Sequence, residues 1–287
     1  MKENNGLKKG FLLAQKITGQ HAKTYYFASR FLPKEKRFHA YVIYAVCRMS
    51  DEAVDNPGEA SSCSLSRIKE NIELAFSNIP LKENLLLSFR QTVARFNIPK
   101  TYFDELIEGM RMDLKVNRYE TFDDLYGYCY RVAGVVGLVM LKIFGYRQKE
   151  AEKYALDLGV AMQLTNIIRD IKEDLLRGRV YLPQEEMNRF GVTEEQLSSN
   201  RWDENLRSLL KFQINRARQY YARSEPGIKL ILPARCRFVV LCMKEFYASI
   251  LDSVERSNYD VFSKRCYVPN WIKIGVTFKI LLGGRYL

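Results

Sequence analysis

Apolar residues recur three and four positions apart along nearly the whole chain, and strict alternation is almost absent. That period belongs to one face of an α-helix, so the fold class expected is all-α. Only 8 prolines and 16 glycines interrupt 287 residues, which leaves room for long helices. Helices are predicted over about 10–29, 34–52, 64–77, 81–95, 100–113, 121–144, 148–174, 202–223, 233–257 and 270–282. Turn chemistry marks the breaks at Leu32-Pro33, Asn56-Pro57-Gly58, Asn97-Ile98-Pro99, Phe144-Gly145 and Glu225-Pro226-Gly227. The stretch from Asn56 to Ser66, rich in small polar residues, reads as a loop. No repeat and no long polar linker divides the chain, so a single domain over 1–287 is expected. Ala40–Cys47 and Ala155–Ile168 are apolar nearly all round, the mark of helices enclosed by others, so charges attached to them are informative.

The first such charges lie in Tyr44-Ala-Val-Cys-Arg48-Met-Ser-Asp51-Glu52-Ala-Val-Asp55. At about 100° per residue, Tyr44, Arg48, Asp51 and Asp55 fall within roughly a 60° arc. Two carboxylates one turn apart repel, and burying them without a cation costs several kcal/mol, so the pair calls for positive charge. Arg48 paired with Asp51 or Asp55 as a helix-surface ion pair would explain this segment taken alone. A second strip changes the balance. In Gln163-Leu-Thr-Asn166-Ile-Ile-Arg169-Asp170-Ile-Lys-Glu-Asp174, the residues Gln163, Asn166, Asp170 and Asp174 fall within roughly an 80° arc of one continuous helix. Two amides and two carboxylates offer hard oxygen ligands, and Mg²⁺ takes one or two carboxylates together with water and substrate phosphate oxygens. Arg48 and Arg169 supply the bidentate donors that phosphate oxygens match. Two facing strips would clamp a diphosphate, and in an apolar pocket the favoured chemistry is ionisation to a carbocation.

Composition narrows the partners. Hydrophobic residues make up 47% and charged residues 27%, the balance of a globular protein. A net charge of +12 attracts anions, whether nucleic acid, anionic lipid or phosphorylated metabolites. The nearest approach to a basic and aromatic nucleic-acid face is Arg216, Arg218, Tyr220, Tyr221 and Arg223, which a solvated helix explains equally well, so no nucleic acid is expected. Six cysteines form no Cys-x-x-Cys pair, which reads as reduced and cytoplasmic. Two histidines are too few for a His-rich zinc or copper site, so oxygen ligands would have to hold any metal. Met1–Gly10 lacks the apolar core of a signal peptide. The apolar runs Val132–Leu141 and Ile274–Leu282 fall short of the roughly 20 residues of a spanning helix. A cytoplasmic location is expected, with peripheral contact at an anionic membrane surface.

A third stretch, Tyr126-Gly-Tyr128-Cys-Tyr130-Arg131-Val-Ala-Gly134-Val-Val-Gly137, has helical period despite glycines that weaken a helix by roughly 1 kcal/mol each. Close helix packing is one explanation. Room for an elongated apolar substrate, beside tyrosine faces that can steady a cation, is the other.

With these residues in hand, the chain resembles the phytoene/squalene synthase family, the head-to-head isoprenoid synthases, from about His21 to Tyr259. The motifs are His21-Ala-Lys-Thr24, the two acidic segments, the tyrosine and glycine stretch, and Arg177-Gly178-Arg179-Val180-Tyr181-Leu182-Pro183. The resemblance implies an isoprenoid-synthase helical bundle around a central cavity, with Mg²⁺, two or three ions, between facing acidic helices. It implies prenyl diphosphate substrates and a two-step reaction through a cyclopropylcarbinyl diphosphate, most like phytoene synthases, which join two geranylgeranyl diphosphates. Two farnesyl diphosphates giving squalene or dehydrosqualene is the alternative, with NADPH only if the product is squalene. By the same resemblance Asp51, Asp55, Asn166, Asp170 and Asp174 match metal-binding positions, and the four aspartates with Arg48 and Arg169 match catalytic ones. His21, Thr24, Tyr44, Arg48, Tyr128, Gln163, Asn166, Arg169, Tyr181 and Tyr247 match substrate-contacting positions. Ala22 stands where many relatives have serine, and Glu52 where a second aspartate is more frequent. A non-catalytic helical scaffold of the same fold is the alternative of another class; it predicts eroded aspartates, and all four are intact.

Overall fold

The computed structural model describes the backbone of residues 2–55 and 59–284 and the side chains of 5–54 and 63–284. The chain opens with α1 (Lys2–His21), α2 (Lys23–Ser29), α3 (Lys34–Asp55), α4 (Glu59–Phe76), α5 (Asn84–Arg95) and α6 (Lys100–Lys115). A continuous helical run follows, made of α7 (Phe122–Cys129), a π-helical turn (Tyr130–Gly134) and α8 (Val135–Phe144). Then come α9 (Ala151–Arg169), α10 (Ile171–Leu176), α11 (Gln184–Phe190), α12 (Glu194–Ser198), α13 (Glu204–Ile228), α14 (Ala234–Arg256) and α15 (Asn270–Gly283). Among the described residues the only β pairing is two isolated bridges, Arg118 with Val180 and Tyr146 with Ile231.

Local chemistry sets the boundaries. Thr121 and Asp124 form a reciprocal capping box at the start of α7, and Asp203 accepts from the Leu206 amide at 2.9 Å to start α13. Pro99, Pro183, Pro233 and Pro269 each stand immediately before a helix, where the ring's fixed φ is tolerated and no helical carbonyl loses a donor. Gly145, at φ +77°, ends α8 in a conformation that side chains resist.

Several boundaries differ from expectation, and close packing goes with those of α1 and α13. Helix α1 begins at Lys2 because Gly6 and Gly10 let it lie against α5; a Cβ at Gly10 would stand 2.0 Å from the Asn84 carbonyl oxygen. The expected loop from Asn56 to Ser66 is helical from Glu59 onward, with Leu65 buried, while Asn56-Pro57-Gly58 lie outside the described residues. Pro226 and Gly227 do not break α13, which ends only at Ile228; Gly227 sits where a Cβ would meet the Tyr154 Cβ at 2.2 Å. The helix predicted over about 148–174 is two helices, parted at Asp170, whose φ of −104° and ψ of 16° are not helical. The ladder nevertheless carries across the break, since the Asp170 amide donates to Asn166 and the Asp174 amide to Asp170.

The core has two apolar clusters. One gathers α1, α3, α5, α6 and α8 around Tyr41, Phe89, Phe103 and Phe246, and the other gathers α9, α13 and α14 around Leu164, Leu209, Ile214 and Leu251. Val132 packs against both. Full burial of each such side chain is worth about 1.5–3 kcal/mol. Helix α9 lies in the middle, against α13, α14, α8 and the π-helical turn. Its close approach depends on glycine: a Cβ at Gly159 would stand 2.5 Å from the Ala133 carbonyl oxygen, and one at Gly137 would stand 2.5 Å from that of Ala155. Packing therefore accounts for Gly137 of the third stretch, which also lines the cavity, and Gly134 is close-packed too, with Leu156 Cδ2 3.2 Å from where its Cβ would stand; at Gly127 a Cβ would meet only Arg131 Nη1, at 3.5 Å. The run Phe122–Phe144 exceeds the expected apolar lengths: among the described residues it alone is long and apolar enough to cross a membrane by length and composition. Half of that apolar stretch is buried within the protein, as befits a core helix.

Candidate active site

A cavity of about 1110 Å³ opens between the two clusters, large enough for more than one drug-sized ligand. Aliphatic and aromatic side chains such as Val136, Met140, Phe144, Leu158, Met243 and Phe246 form much of its wall. Its polar wall holds nearly every residue singled out from sequence: His21, Thr24, Tyr44, Arg48, Asp51, Tyr128, Gln163, Asn166, Arg169, Asp170, Asp174, Tyr181 and Tyr247. The side chain of Asp55, the last residue of α3, lies outside the described residues.

Helix α3 carries the first strip. Arg48 Nε donates to Glu52 Oε1 at 2.9 Å, and His21 Nδ1 is 3.7 Å from the same oxygen, so Glu52 draws both side chains together on this side. Tyr44 is pushed up to about 12 by burial, eased by Arg48 and reinforced by the charge of Asp51. His21 and Thr24 reach the wall because the chain turns at Ala22 between α1 and α2; Ala22 gives α2 no side-chain cap.

The second strip differs in its surroundings. Asp170 accepts from Arg169 Nε at 2.7 Å and from Arg265 Nε and Nη2 at 2.8 and 2.9 Å. Burial pushes its carboxyl up, but the two guanidiniums outweigh that and hold it below the usual aspartate value. Asp174 is pushed up to about 7 by burial first and by the charge of Asp170 second, with Arg177 and Arg179 opposing. Asn166 Nδ2 donates to Gln163 Oε1 at 3.3 Å, while Asn166 Oδ1 is buried without a hydrogen-bond partner.

The strips are tied across the cavity. Arg179, in the turn after α10, donates from Nη2 to the Val54 carbonyl oxygen of α3 at 3.2 Å. That turn needs Gly178, at φ +74°, and Arg118 Nη1 donates to the Gly178 carbonyl at 2.8 Å. The contact of Arg179 with Val54 joins the end of α3, which carries the first strip, to the turn that follows the second. Among the described residues no three carboxylate, imidazole or thiol groups converge as a ready metal cage. Mg²⁺ is commonly bound through one or two carboxylates plus substrate phosphates. The orphaned Asn166 oxygen, with Asp51, Asp170 and Asp174 lining the same cavity, is a donor set of hard oxygens that fits such an ion.

Sequence reasoning missed several wall residues. Asp113 of α6 accepts from Tyr181 Oη at 2.6 Å and from Tyr128 Oη at 3.1 Å, beneath a stack in which the two rings lie 5.1 Å apart. Arg177, Arg179, Arg265, Lys23 and Lys273 also line the cavity. Arg177 and Arg179 stood within the Arg-Gly-Arg motif and were open to discovery; Arg265 sits in the segment before α15 with no periodic signal.

A helical bundle closed around an apolar cavity, with acidic strips tied across it, is the build of the helical isoprenoid synthases. The chain superposes with a TM-score of 0.92 on a dehydrosqualene synthase solved with a ligand, 28% identical, covering 99% of this chain and 100% of that one. It superposes with a TM-score of 0.82 on a squalene synthase from Alicyclobacillus acidocaldarius, 27% identical, covering 89% and 97%. The chain is a prenyltransferase. A squalene/phytoene synthase family model matches residues 18–272, and the chain belongs to that family. It is 39% identical over 282 residues to a 15-cis-phytoene synthase of Synechococcus elongatus, covering 93% of this chain and 91% of the relative. It is 40% identical over 277 residues to a phytoene synthase of Arthrospira platensis, covering 91% and 89%.

Proposed function

We propose that the chain condenses two geranylgeranyl diphosphates head to head, through a cyclopropylcarbinyl diphosphate, to phytoene. The observation that carries this is the pair of acidic strips tied together by Arg179 and Val54 over a cavity of about 1110 Å³, in a chain like phytoene synthases along nearly its whole length. Asp51, Asp55, Asn166, Asp170 and Asp174 hold Mg²⁺, two or three ions, in this reading. Bound there, the metal supplies positive charge to the departing diphosphate. Arg48, Arg169, Arg177, Arg179 and Arg265 grip the phosphate oxygens, where planar guanidinium donors match them in pairs. His21, Thr24, Tyr44, Gln163 and Tyr247 orient the substrates. The apolar wall keeps water from the allylic cation, and the rings of Tyr128 and Tyr181 where they line the cavity, made electron-rich by the Asp113 carboxylate that accepts from their hydroxyls, steady it.

The chain is proposed to form one domain over 1–287, since the cavity and Val132 join its two apolar clusters. We place it in the cytoplasm, in peripheral contact with an anionic membrane that takes up a water-insoluble product, a reading supported by its +12 charge. A second reading, two farnesyl diphosphates giving dehydrosqualene or, with NADPH, squalene, is favoured by the superposition on dehydrosqualene synthase.

The deciding experiment incubates purified protein with Mg²⁺ and either geranylgeranyl or farnesyl diphosphate, with and without NADPH, and analyses the hydrocarbons. Phytoene from the C20 substrate without NADPH is the expected result. A C30 product would replace the first reading by the second, and consumption of neither substrate would sink both.

A further inference from the structure

Helix α15 is built the wrong way round for a helix of a globular protein. Its inward face carries Lys273, Thr277 and Ile280, all buried, with Lys273 on the cavity wall. Its outward face carries Trp271, Ile274, Phe278, Leu281 and Leu282, exposed by 72, 47, 59, 39 and 87%. At about 100° per residue these five fall within roughly a 100° arc, the width of a stripe that normally faces a core. Helix α14 packs against α15 from the other side, so the stripe is left to solvent. Tyr267, 60% exposed, extends the apolar surface back to the cavity, whose wall it shares with Val268 and Lys273. An apolar patch of this kind marks a contact surface.

Charge says what it contacts. From Val261 to Leu287 the sequence contains Lys264, Arg265, Lys273, Lys279 and Arg285 and no aspartate or glutamate. Lys279 is exposed at the edge of the stripe, and Lys264 Nζ lies 5.8 Å from the centre of the Tyr267 ring. Tryptophan and phenylalanine flanked by lysine, on a helix lying flat, is the chemistry of the boundary between lipid headgroups and acyl chains. A stretch without a single acid suits an anionic surface and no neutral one in particular. Resting on the membrane contact proposed above, we infer that the outward face of α15 is the lipid-docking surface. It seats the protein on an anionic bilayer with the Tyr267 end of the cavity wall against the lipid. An apolar product leaving beside Tyr267 and Val268 would enter the acyl region without crossing water, which apolar surface avoids.

The test is flotation of the full chain with vesicles of equal parts phosphatidylcholine and phosphatidylglycerol, beside vesicles of phosphatidylcholine alone. The chain is expected to float with the anionic vesicles. The triple variant Trp271→Ser, Phe278→Ser, Leu282→Ser is expected to bind them at least tenfold more weakly, with an unchanged melting curve and unchanged turnover of detergent-dispersed substrate. Lys264→Glu and Lys279→Glu are expected to weaken binding about fivefold each, on anionic vesicles only. The chain has two tryptophans, so a Trp202→Phe variant leaves Trp271 as the sole reporter, and its emission is expected to shift to the blue on vesicle binding. Wild-type affinity in the triple variant, or an unmoved Trp271 emission, overturns the assignment of this surface while leaving the membrane contact standing. Failure of the wild-type chain to float overturns both. If light scattering in lipid-free buffer finds a wild-type dimer and a monomeric triple variant, the stripe seats a second copy of the chain and the lipid assignment falls. Phytoene formation is read separately throughout, so the loss of docking is distinct from the loss of the proposed reaction.

Discussion

On α3, Asp51 belongs to an unbroken helix, and the nearby cation Arg48 is engaged by Glu52 at 2.9 Å. At the junction of α9 and α10, by contrast, both oxygens of Asp170 are engaged by guanidiniums, and Asp174 is buried one turn away with its carboxyl pushed up to about 7. Two strips that read alike in sequence therefore differ in backbone and in what their arginines engage. The first stands on one regular helix, with Arg48 turned to Glu52. The second holds its carboxylates by mutual compensation: guanidiniums keep Asp170 ionised, and the charge of Asp170, added to burial, helps keep Asp174 protonated. A strip of the second kind responds to protons and to competing cations.

The most damaging way to probe the contrast is to neutralise each strip. Asp51→Asn, Asp170→Asn and Asp174→Asn are each expected to lower turnover of geranylgeranyl diphosphate by about 10²–10³-fold, the loss typical of removing one preorganised electrostatic group. Full activity in Asp51→Asn together with Asp170→Asn would end the proposal that the strips act as one clamp. Next in size is the packing behind the second strip. Gly159→Ala would drive a Cβ to 2.5 Å from the Ala133 carbonyl oxygen, and overpacking of this kind costs about 1–3 kcal/mol, read as a lower denaturant midpoint.

Acidity separates the strips further. Asp174 keeps its proton in the fold up to about pH 7, whereas its ordinary value is 3.8. Across that window the folded state binds a proton that the unfolded chain has lost, so this group makes stability fall as pH rises from about 4 to about 7. Thermal melts of the chelated protein should show this slope, and Asp174→Asn should flatten it. Mg²⁺ should raise the melting temperature more at pH 8 than at pH 6, because at the lower pH it must displace the proton. An equal Mg²⁺ effect at both would refute the account of Asp174. The smallest effect concerns Arg265. Its guanidinium competes for Asp170 but is largely exposed, and exposed pairs contribute about 0–1 kcal/mol. Arg265→Ala should therefore bind Mg²⁺ up to about fivefold more tightly without substrate by calorimetry, yet show a higher KM for the diphosphate.

Much of the site was legible because periodicity reports which residues share a face. Tyr44, Arg48 and Asp51 line one wall as their spacing requires, and Gln163, Asn166, Asp170 and Asp174 share the other even though the helix breaks at Asp170. The break escaped notice because spacing assumes regular geometry, and the ladder across it is continuous. Asp113 and Arg265 escaped for another reason. They enter the site from α6 and from the segment before α15, far from the motifs in sequence, and nothing in their own neighbours reports what they will meet. The helical start of α4 and the passage of α13 through Pro226 and Gly227 went unread because tertiary burial outweighs weak local preference.

By itself, the sequence determined an all-α chain, two acidic strips on apolar helices, the arginines beside them and the family they resemble. These follow from residue type and from spacing within one helix, which short-range geometry governs. The tertiary structure alone decided that Arg179 reaches Val54, that Asp113 lies under Tyr128 and Tyr181, that Arg265 closes on Asp170, and that α15 turns its apolar stripe outward. Each of these is a meeting of residues distant in the chain, or a choice of which face is covered. A helix's own period names its faces but cannot say what, if anything, will pack against them.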